Sequence, residues 1–478
     1  MIAAAEIIAE LGRIVGGEHV ASDQASRRFV AGDFFQSGPL PDCVVAPGTV
    51  DQLALVVRAA VKAGRAVIAR GGGLSYTGGY VPTRPGSVTI DTRRLDRVVE
   101  VSPADMTVTA EVGVTWEKLL AALKPHNVRP PSFGPSTGRY ATLGGGLSNN
   151  AMFFGAANKG TAVDCVLGLD VVLADGTMLK TGSAAVRGGV PFFRANGPDL
   201  TGLFLADAGA LGVKAVATLK LEPIPGGIAF ASYAFDRYDD MILAAAEIAR
   251  TGLASECLGV AGYGPGAPGN AVAPSLHAVV EGWTQQIADL HLGVIARISG
   301  ARGKAVDPIL PRYIRDQVYA FVAHPLDAKG RRQIWTHGAF ALSKAGAAFN
   351  AICVHLDEQA ECLRAHAIDV SISVAVAGAM LIVEPVLYWS DAPAEIHRRG
   401  MGALPAPETP ANAAATAAAH EIRIGIRNLL RRLGAAHMQH GKFYTLSDSL
   451  NPATFRALQR LKHAFDPDNA INPGALGL

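Results

Sequence analysis

Apolar positions recur along the 478-residue chain in separated blocks, some at the helical spacing of three and four, others at the alternation of a strand. Residues 4–12 read as a short amphipathic helix, followed by a polar leader to about Gly38. Residues 41–47 read as an extended segment ended by Pro47. Leu53, Val56, Val57, Ala60 and Val61 lie on one helical face behind Thr49, a candidate cap, and Gly64 closes that helix. Strands are expected at 66–69, 87–90, 98–101 and 106–112, with a helix at 115–123. Runs at 167–174 and 177–181 flank Asp175-Gly176, a hairpin signal, and 213–221 is a further strand stopped by Pro223 and Pro225.

The Pro-Ile-Pro-Gly-Gly run at 223–227 marks a domain boundary. A strand at 228–235, a helix at 238–251 and an apolar run at 257–262 come next. A second unit of this kind is expected from a strand at 350–356, a helix at 357–366 and strands at 368–376 and 379–388. Two β-α-β units predict an antiparallel sheet covered by helices. The Ala- and Pro-rich stretch 403–419 starts loosely and becomes a helix to about Leu433, and the tail holds a helix at 452–464.

Between two of these strands runs Arg70-Gly71-Gly72-Gly73-Leu74-Ser75-Tyr76-Thr77-Gly78-Gly79. Glycines at this density open backbone N–H groups to a ligand, and successive amides can wrap a pyrophosphate. The loop is not a Rossmann turn, which must open a helix; Pro82 and Pro85 follow it. A second cluster, Thr142-Leu143-Gly144-Gly145-Gly146, ends a long Pro-, Gly- and Ser-rich segment from Val128, of a length that points to function.

Charge and cysteines narrow the partners. Lysine plus arginine total 43 against 41 acidic residues, which excludes a nucleic-acid binder with its basic face. The five cysteines are scattered without CxxC spacing, so neither a disulfide framework nor a zinc site is expected. The longest uncharged apolar stretch, Val370 to Val383, is too short to span a bilayer. The N-terminus lacks a basic secretory region, so a soluble cytoplasmic protein is expected. His437-x-x-His440 has no carboxylate cluster beside it, and no metal is expected.

Taken in order, the motifs resemble the vanillyl-alcohol oxidase/p-cresol methylhydroxylase (PCMH-type) flavoprotein superfamily, nearest to its FAD-linked oxidase and D-2-hydroxy-acid dehydrogenase-like branches. The resemblance rests on Pro47, the Arg70–Gly79 loop, Ser87 to Asp91 and Thr142 to Gly146. It continues through Asn149 and Asn150 to Gly160, Val171 to Gly176 and Gly209 to Val213, and ends at Asp466-Pro467 and Asn472-Pro473-Gly474. It implies an α+β fold: a PCMH-type two-subdomain FAD-binding module over 1–225 (core 40–222), an α+β substrate cap over 226–435, and a segment 436–478 that returns to the FAD domain. It also implies an FAD-dependent oxidase or dehydrogenase that takes a hydride from a small hydroxylated substrate, a 2-hydroxy acid or an alcohol, and passes electrons to oxygen or another carrier. A phenolic or aryl-alcohol oxidase and a flavin subunit of an electron-transfer complex are the alternatives, and a homodimer is the candidate assembly.

The resemblance also assigns residues. Cofactor-binding candidates are Arg70, Gly71, Gly72, Gly73, Leu74, Ser75, Gly78 and Gly79 in the loop, then Pro135, Ser136, Thr142, Gly144, Gly145, Asn149 and Asn150. Lys159, Gly160, Thr161, Gly212, Val213, Lys442 and Asn472 complete the set. Gly144 to Gly146 would leave room for flat approach to the flavin, and Lys159 or Lys442 would supply a cation near N1/C2=O. Leu74 stands where the berberine-bridge-like branch has its flavin-linked His, and 128–146 holds no cysteine, so FAD is expected to be non-covalent. Thr161 stands where the phenol-oxidising branch has its Asp, and Phe443-Tyr444 keeps only one hydroxyl of that branch's Tyr-Arg clamp. The family's tail folds back beside the flavin, which makes His437, His440 and Tyr444 the catalytic candidates. Trp335, His337 and Arg332 read as a helix start, and Arg431-Arg432 as a solvated pair. Gly72→Asp is expected to abolish FAD binding while leaving the chain foldable.

Overall fold

The computed structural model describes residues 3–263, 273–319, 326–327, 329–399 and 408–478; the opening of the Ala- and Pro-rich stretch, 403–407, lies outside them. The chain forms two compact units. The first comprises Met1–Ala151, Ala162–Pro223 and Met438–Leu478, and the second Met152–Thr161 and Ile224–His437. The changeover after Pro223 falls at the Pro/Gly run. The excursion of 152–161 into the second unit has no sequence counterpart, because no proline–glycine punctuation flags its start.

In the first unit, a four-stranded sheet runs in the order Val20–Ala21, Cys43–Val45, Ser87–Asp91, Ala66–Arg70. Ala66–Arg70 pairs in parallel with Ser87–Asp91, from Ala66 opposite Ser87 to Arg70 opposite Asp91. Parallel neighbours cannot be joined by a tight hairpin, so the glycine loop is a crossover that leaves from the C-terminal end of its strand. Helices Ala4–Val15 and Val50–Lys62 bury Ile7, Leu11, Leu53, Val56 and Val57 against Val67, Val88 and Ile90. Thr49 caps the second helix as expected, its hydroxyl accepting Gln52 N–H at 3.1 Å. The polar leader is not featureless: Asp23 caps a helix, Gln24–Val30.

A five-stranded antiparallel sheet completes this unit, in the order Val98–Ser102, Thr107–Glu111, Val213–Lys220, Val166–Val172, Met178–Lys180. Its last hairpin turns at Asp175-Gly176, with Gly176 at φ 84°. The tail adds to the first sheet. Val67 N–H donates to Ala470 O at 2.8 Å and Asn472 N–H to Val67 O at 2.9 Å.

The second unit is built on an eight-stranded sheet in which every pairing is antiparallel. Tyr238–Thr251, Gln285–Gly300 and Ala345–Glu358 are its long helices, together with Ala413–Arg432. The expected strand at 350–356 lies within Ala345–Glu358. Ala345, Ala348, Phe349, Ile352 and Leu356 are buried at spacings of three and four, so the helical period overrides the β-like run Ile352-Cys353-Val354. Arg332–Trp335 is a strand paired with Met380–Trp389, not a helix start.

Candidate cofactor site

The glycine loop is held from its carbonyl side. Tyr80 Oη donates to Gly73 O at 2.7 Å and to Ser75 O at 3.2 Å. Lys442 Nζ donates to Val81 O at 2.9 Å and Asn472 Oδ1 at 2.7 Å, with Gly79 O and Gly78 O at 3.3 and 3.4 Å. Asp33 takes the Gly78 amide at 2.7 Å, and its other oxygen takes the amides of Phe35 and Gln36 at 2.8 Å. The buried guanidinium of Arg70 lies over the rings of Phe29 and Tyr80, at 4.7 and 5.2 Å, with Nε and Nη2 lacking hydrogen-bond partners. Burial pulls its pKa down, against the pull of Tyr80 and Asp91.

The amide side is different. Among the described residues, the N–H groups of Gly72, Gly73, Leu74 and Ser75 have no acceptor. Gly73 and Ser75 are buried, and buried backbone N–H groups are almost always paired in a folded protein. A run of four donors, in a loop whose carbonyls are partly taken, is the chemistry of an anion cradle. It fits the diphosphate of a dinucleotide cofactor without a basic cluster.

The second glycine cluster has a different reason. Leu143–Ser148 is a short helix capped by Thr142, whose hydroxyl accepts Gly145 N–H at 3.3 Å. A Cβ on Gly144 would stand 2.7 Å from Val112, and one on Gly146 2.7 Å from Trp116 Nε1. Packing alone therefore demands these two glycines, while a Cβ on Gly145 would meet Thr142 Oγ1 at 3.2 Å. Asn149 Nδ2 donates to Gly145 O at 3.0 Å, while Asn149 Oδ1 and Asn150 Oδ1 are buried acceptors without donors.

Several other candidates make contacts within the protein. Pro135 O accepts Gly138 N–H in a turn, beside half-buried Ser136. A Cβ on Gly212 would meet Val171 at 2.6 Å, and Val213 pairs with Val172. Asn472 Nδ2 donates to Gly79 O and Ala208 O, both at 2.7 Å. Asn472 and Lys442 therefore fasten the tail to the loop's carbonyls. Burial pulls Lys442 down to about 7, with Asp33 pulling the other way.

The catalytic candidates divide between the units. His440 and Tyr444 belong to the first, where His440 Nδ1 lies 3.3 Å from Tyr444 O and Tyr444 N–H donates to His440 O at 3.0 Å. Burial lowers the His440 pKa, partly opposed by that bond. His437 belongs to the second unit, its Nδ1 2.8 Å from the His337 carbonyl and its ring 5.8 Å from the His337 ring. Lys159, Gly160 and Thr161 are also in the second unit. Arg332 is committed to Asp391 at 2.7 Å and stacks on Trp389. Sequence reasoning missed Tyr80 and Asp33. Tyr80 could have been found, since it directly follows the glycines; nothing local marks Asp33, 45 residues from its partner Gly78.

The family described as FAD binding domain matches residues 41–182. The glycolate oxidase subunit GlcD of Bacillus subtilis is 28% identical over 218 residues, covering 45% of this chain and 44% of that protein. A probable mitochondrial D-lactate dehydrogenase of Danio rerio is 32% identical over 213 residues, 45% of this chain and 41% of that one. The matches thus span less than half the length of these relatives. Among solved structures, p-cresol methylhydroxylase with substrate bound has a TM-score of 0.80 at 17% identity, over 99% of this chain and 96% of its own. The 4-ethylphenol oxidase of Gulosibacter chungangensis, in its isoeugenol complex, has a TM-score of 0.76 at 17% identity, over 99% and 97%. No described helix is long and apolar enough to cross a membrane. The chain therefore carries an FAD-binding domain, on the α+β fold that p-cresol methylhydroxylase and 4-ethylphenol oxidase share.

Proposed function

We propose that this chain is an FAD-dependent oxidoreductase that takes a hydride from the CH–OH carbon of a small substrate, a 2-hydroxy acid first and a simple alcohol second. The observation that carries the proposal is the row of unpaired amides from Gly72 to Ser75 inside the matched domain. The choice of a hydroxy acid is supported by relatives named for glycolate and D-lactate, whose similarity covers the FAD-binding part. Bound FAD would supply the hydride acceptor, with oxygen or another carrier taking the electrons.

The protein's own groups then have defined tasks. The Gly72–Ser75 amides would hold the diphosphate, and Asp33, Tyr80 and Lys442 keep the loop in shape. His440 is the candidate base. The Tyr444 carbonyl can only accept, so His440 Nδ1 carries the proton and Nε2 is left in the acceptor form. Burial lowers its pKa, which favours the neutral ring that a general base needs. Leu74, in the place of a linking His, and the cysteine-free 128–146 segment support non-covalent FAD. A cytoplasmic location belongs to the same reading, supported by five scattered free thiols.

The test is anaerobic mixing of the flavin-loaded protein with glycolate, D- and L-lactate, longer 2-hydroxy acids and neutral alcohols, read by loss of flavin absorbance without any partner. Bleaching by a 2-hydroxy acid is expected. No bleaching by any member of the panel would overturn the proposal. Acid precipitation should release the flavin to the supernatant, and colour kept in the washed pellet would contradict non-covalent binding.

A further inference from the structure

His440 sits in a tight turn of the tail, and the glycine loop decides where that turn lies. Within the turn, His440 N–H donates to Met438 O at 3.1 Å and Tyr444 N–H to His440 O at 3.0 Å. Two amides between them leave the turn: those of Lys442 and Phe443 both donate to Thr77 O, at 2.8 and 3.0 Å. Thr77 is fully buried and stands two residues beyond Ser75, the last member of the amide row. Its hydroxyl lies 3.0 Å from that of Ser75. One short stretch of backbone therefore ends the cofactor cradle and receives the turn that carries His440.

Gly441 makes that approach possible. Its φ of 57° is in the left-handed region that glycine enters at no steric cost. A Cβ on it would stand 2.3 Å from Thr77 O and 2.4 Å from Thr77 Oγ1. Its carbonyl accepts Leu476 N–H at 2.8 Å, so the turn is also tied to a second stretch of backbone. A backbone carbonyl cannot rotate out of the way as a side chain does. Any side chain at 441 must therefore lift the turn, and His440 with it.

We propose that Gly441 and Thr77 are positioning residues for His440, their close contact holding the ring at the depth and orientation at which Nε2 takes a proton. The inference rests on the reading of His440 as the base, and makes the cofactor loop itself the support of that base. Two consequences follow from displacing the turn. A base misplaced by about 1 Å loses about a hundredfold in rate. A ring lifted toward water also loses the burial that lowers its pKa, against which only the Tyr444 carbonyl pulls.

NMR titration of the His440 imidazole in the FAD-loaded protein reads the positioning without any substrate, and His440→Gln identifies the resonance. In wild type the ring should titrate below the ordinary histidine value of about 6.5. In Gly441→Ala it should titrate closer to that value. Thr77→Val, which deletes the hydroxyl and keeps the carbonyl, should move it the same way by less. Both variants should keep FAD. Rapid-mixing flavin reduction by a saturating 2-hydroxy acid should fall about a hundredfold in Gly441→Ala. A titration unchanged in both variants overturns the proposal, and so does loss of FAD from Gly441→Ala, which would give the contact to the cradle alone. If Gly441→Ala fails to fold, Thr77→Val decides. A slow His440→Gln beside a fast Gly441→Ala would overturn the positioning alone. A His440→Gln that reduces flavin at the wild-type rate would overturn the reading of the base, and the proposal with it.

Discussion

Glycines 71–73 and 144–146 have the same composition and lie in one unit, yet their amides go to different places. Both clusters contain glycines demanded by packing. A Cβ on Gly72 would stand 2.1 Å from Tyr140 O, much as one on Gly146 would meet Trp116. In the second cluster the amides are used internally: Gly144 N–H donates to Val112 O at 2.8 Å, Gly146 N–H to Thr142 O at 2.9 Å, and Gly145 N–H to the Thr142 hydroxyl. In the first, Gly72 and Gly73 donate to nothing among the described residues, nor do Leu74 and Ser75. Glycine density alone does not separate a ligand loop from a packing motif. The destination of each N–H does.

The comparison can be broken most forcefully at Gly72. The structure overturns the expectation that Gly72→Asp leaves the chain foldable, because its Cβ would overlap a backbone carbonyl that cannot swing away. The variant should lose more than about 4 kcal/mol of stability, the range of severe core defects, read as loss of soluble protein or of the thermal transition. Full stability with flavin lost would restore the simpler picture. At Gly146, Ala should cost about 1–3 kcal/mol by overpacking, while the folded fraction binds FAD as wild type does. A large drop in FAD affinity at unchanged stability would mean that this cluster, too, reads the cofactor.

Two further variants sharpen the account of the loop's supports. Asp33→Asn keeps the shape but removes the charge that organises three amides, so FAD should bind about tenfold more weakly, the worth of one charge-assisted bond. Fluorescence titration of apoprotein measures it, and unchanged affinity would place Asp33 outside the cradle. Lys442 gives the smallest effect, visible against pH. Its folded pKa of about 7 lies below its ordinary value, so the folded state binds fewer protons than the unfolded one between the two. The burial penalty is therefore full below pH 7 and is relieved as pH rises. Wild type should gain on the order of 1 kcal/mol relative to Lys442→Met between pH 7 and 9. Parallel profiles for the two proteins would show that Lys442 stays charged throughout.

Much of this was legible in the sequence where a local signal exists. Thr49 announces its helix, Asp175-Gly176 its hairpin, and the loop its strand–loop–strand setting between Ala66–Arg70 and Ser87–Asp91. The failures have equally specific causes. Ile352-Cys353-Val354 looks like a strand because β-branched residues mask the wider helical period. Lys442 and Asn472 were read as cofactor-binding residues and not as ligands of the loop's carbonyls, since only the folded tail shows which side they approach. Asp33 could not be found at all, because its partner is distant in the chain and a lone Asp in a polar leader looks like any solvated charge. His437 and His440 look like one motif in the sequence, yet the unit boundary passes between them.

The central claim is that the amides of Gly72, Gly73, Leu74 and Ser75 hold the cofactor's diphosphate. Hydrogen–deuterium exchange of the apoprotein with and without saturating FAD, read on the peptide spanning Arg70 to Gly79, tests it most directly. The account predicts that exchange in this peptide slows on FAD addition, with protection assigned to these four amides. ADP alone should give part of the same protection, because it carries the diphosphate without the flavin. Saturating FAD that leaves exchange across 71–75 unchanged would contradict the claim.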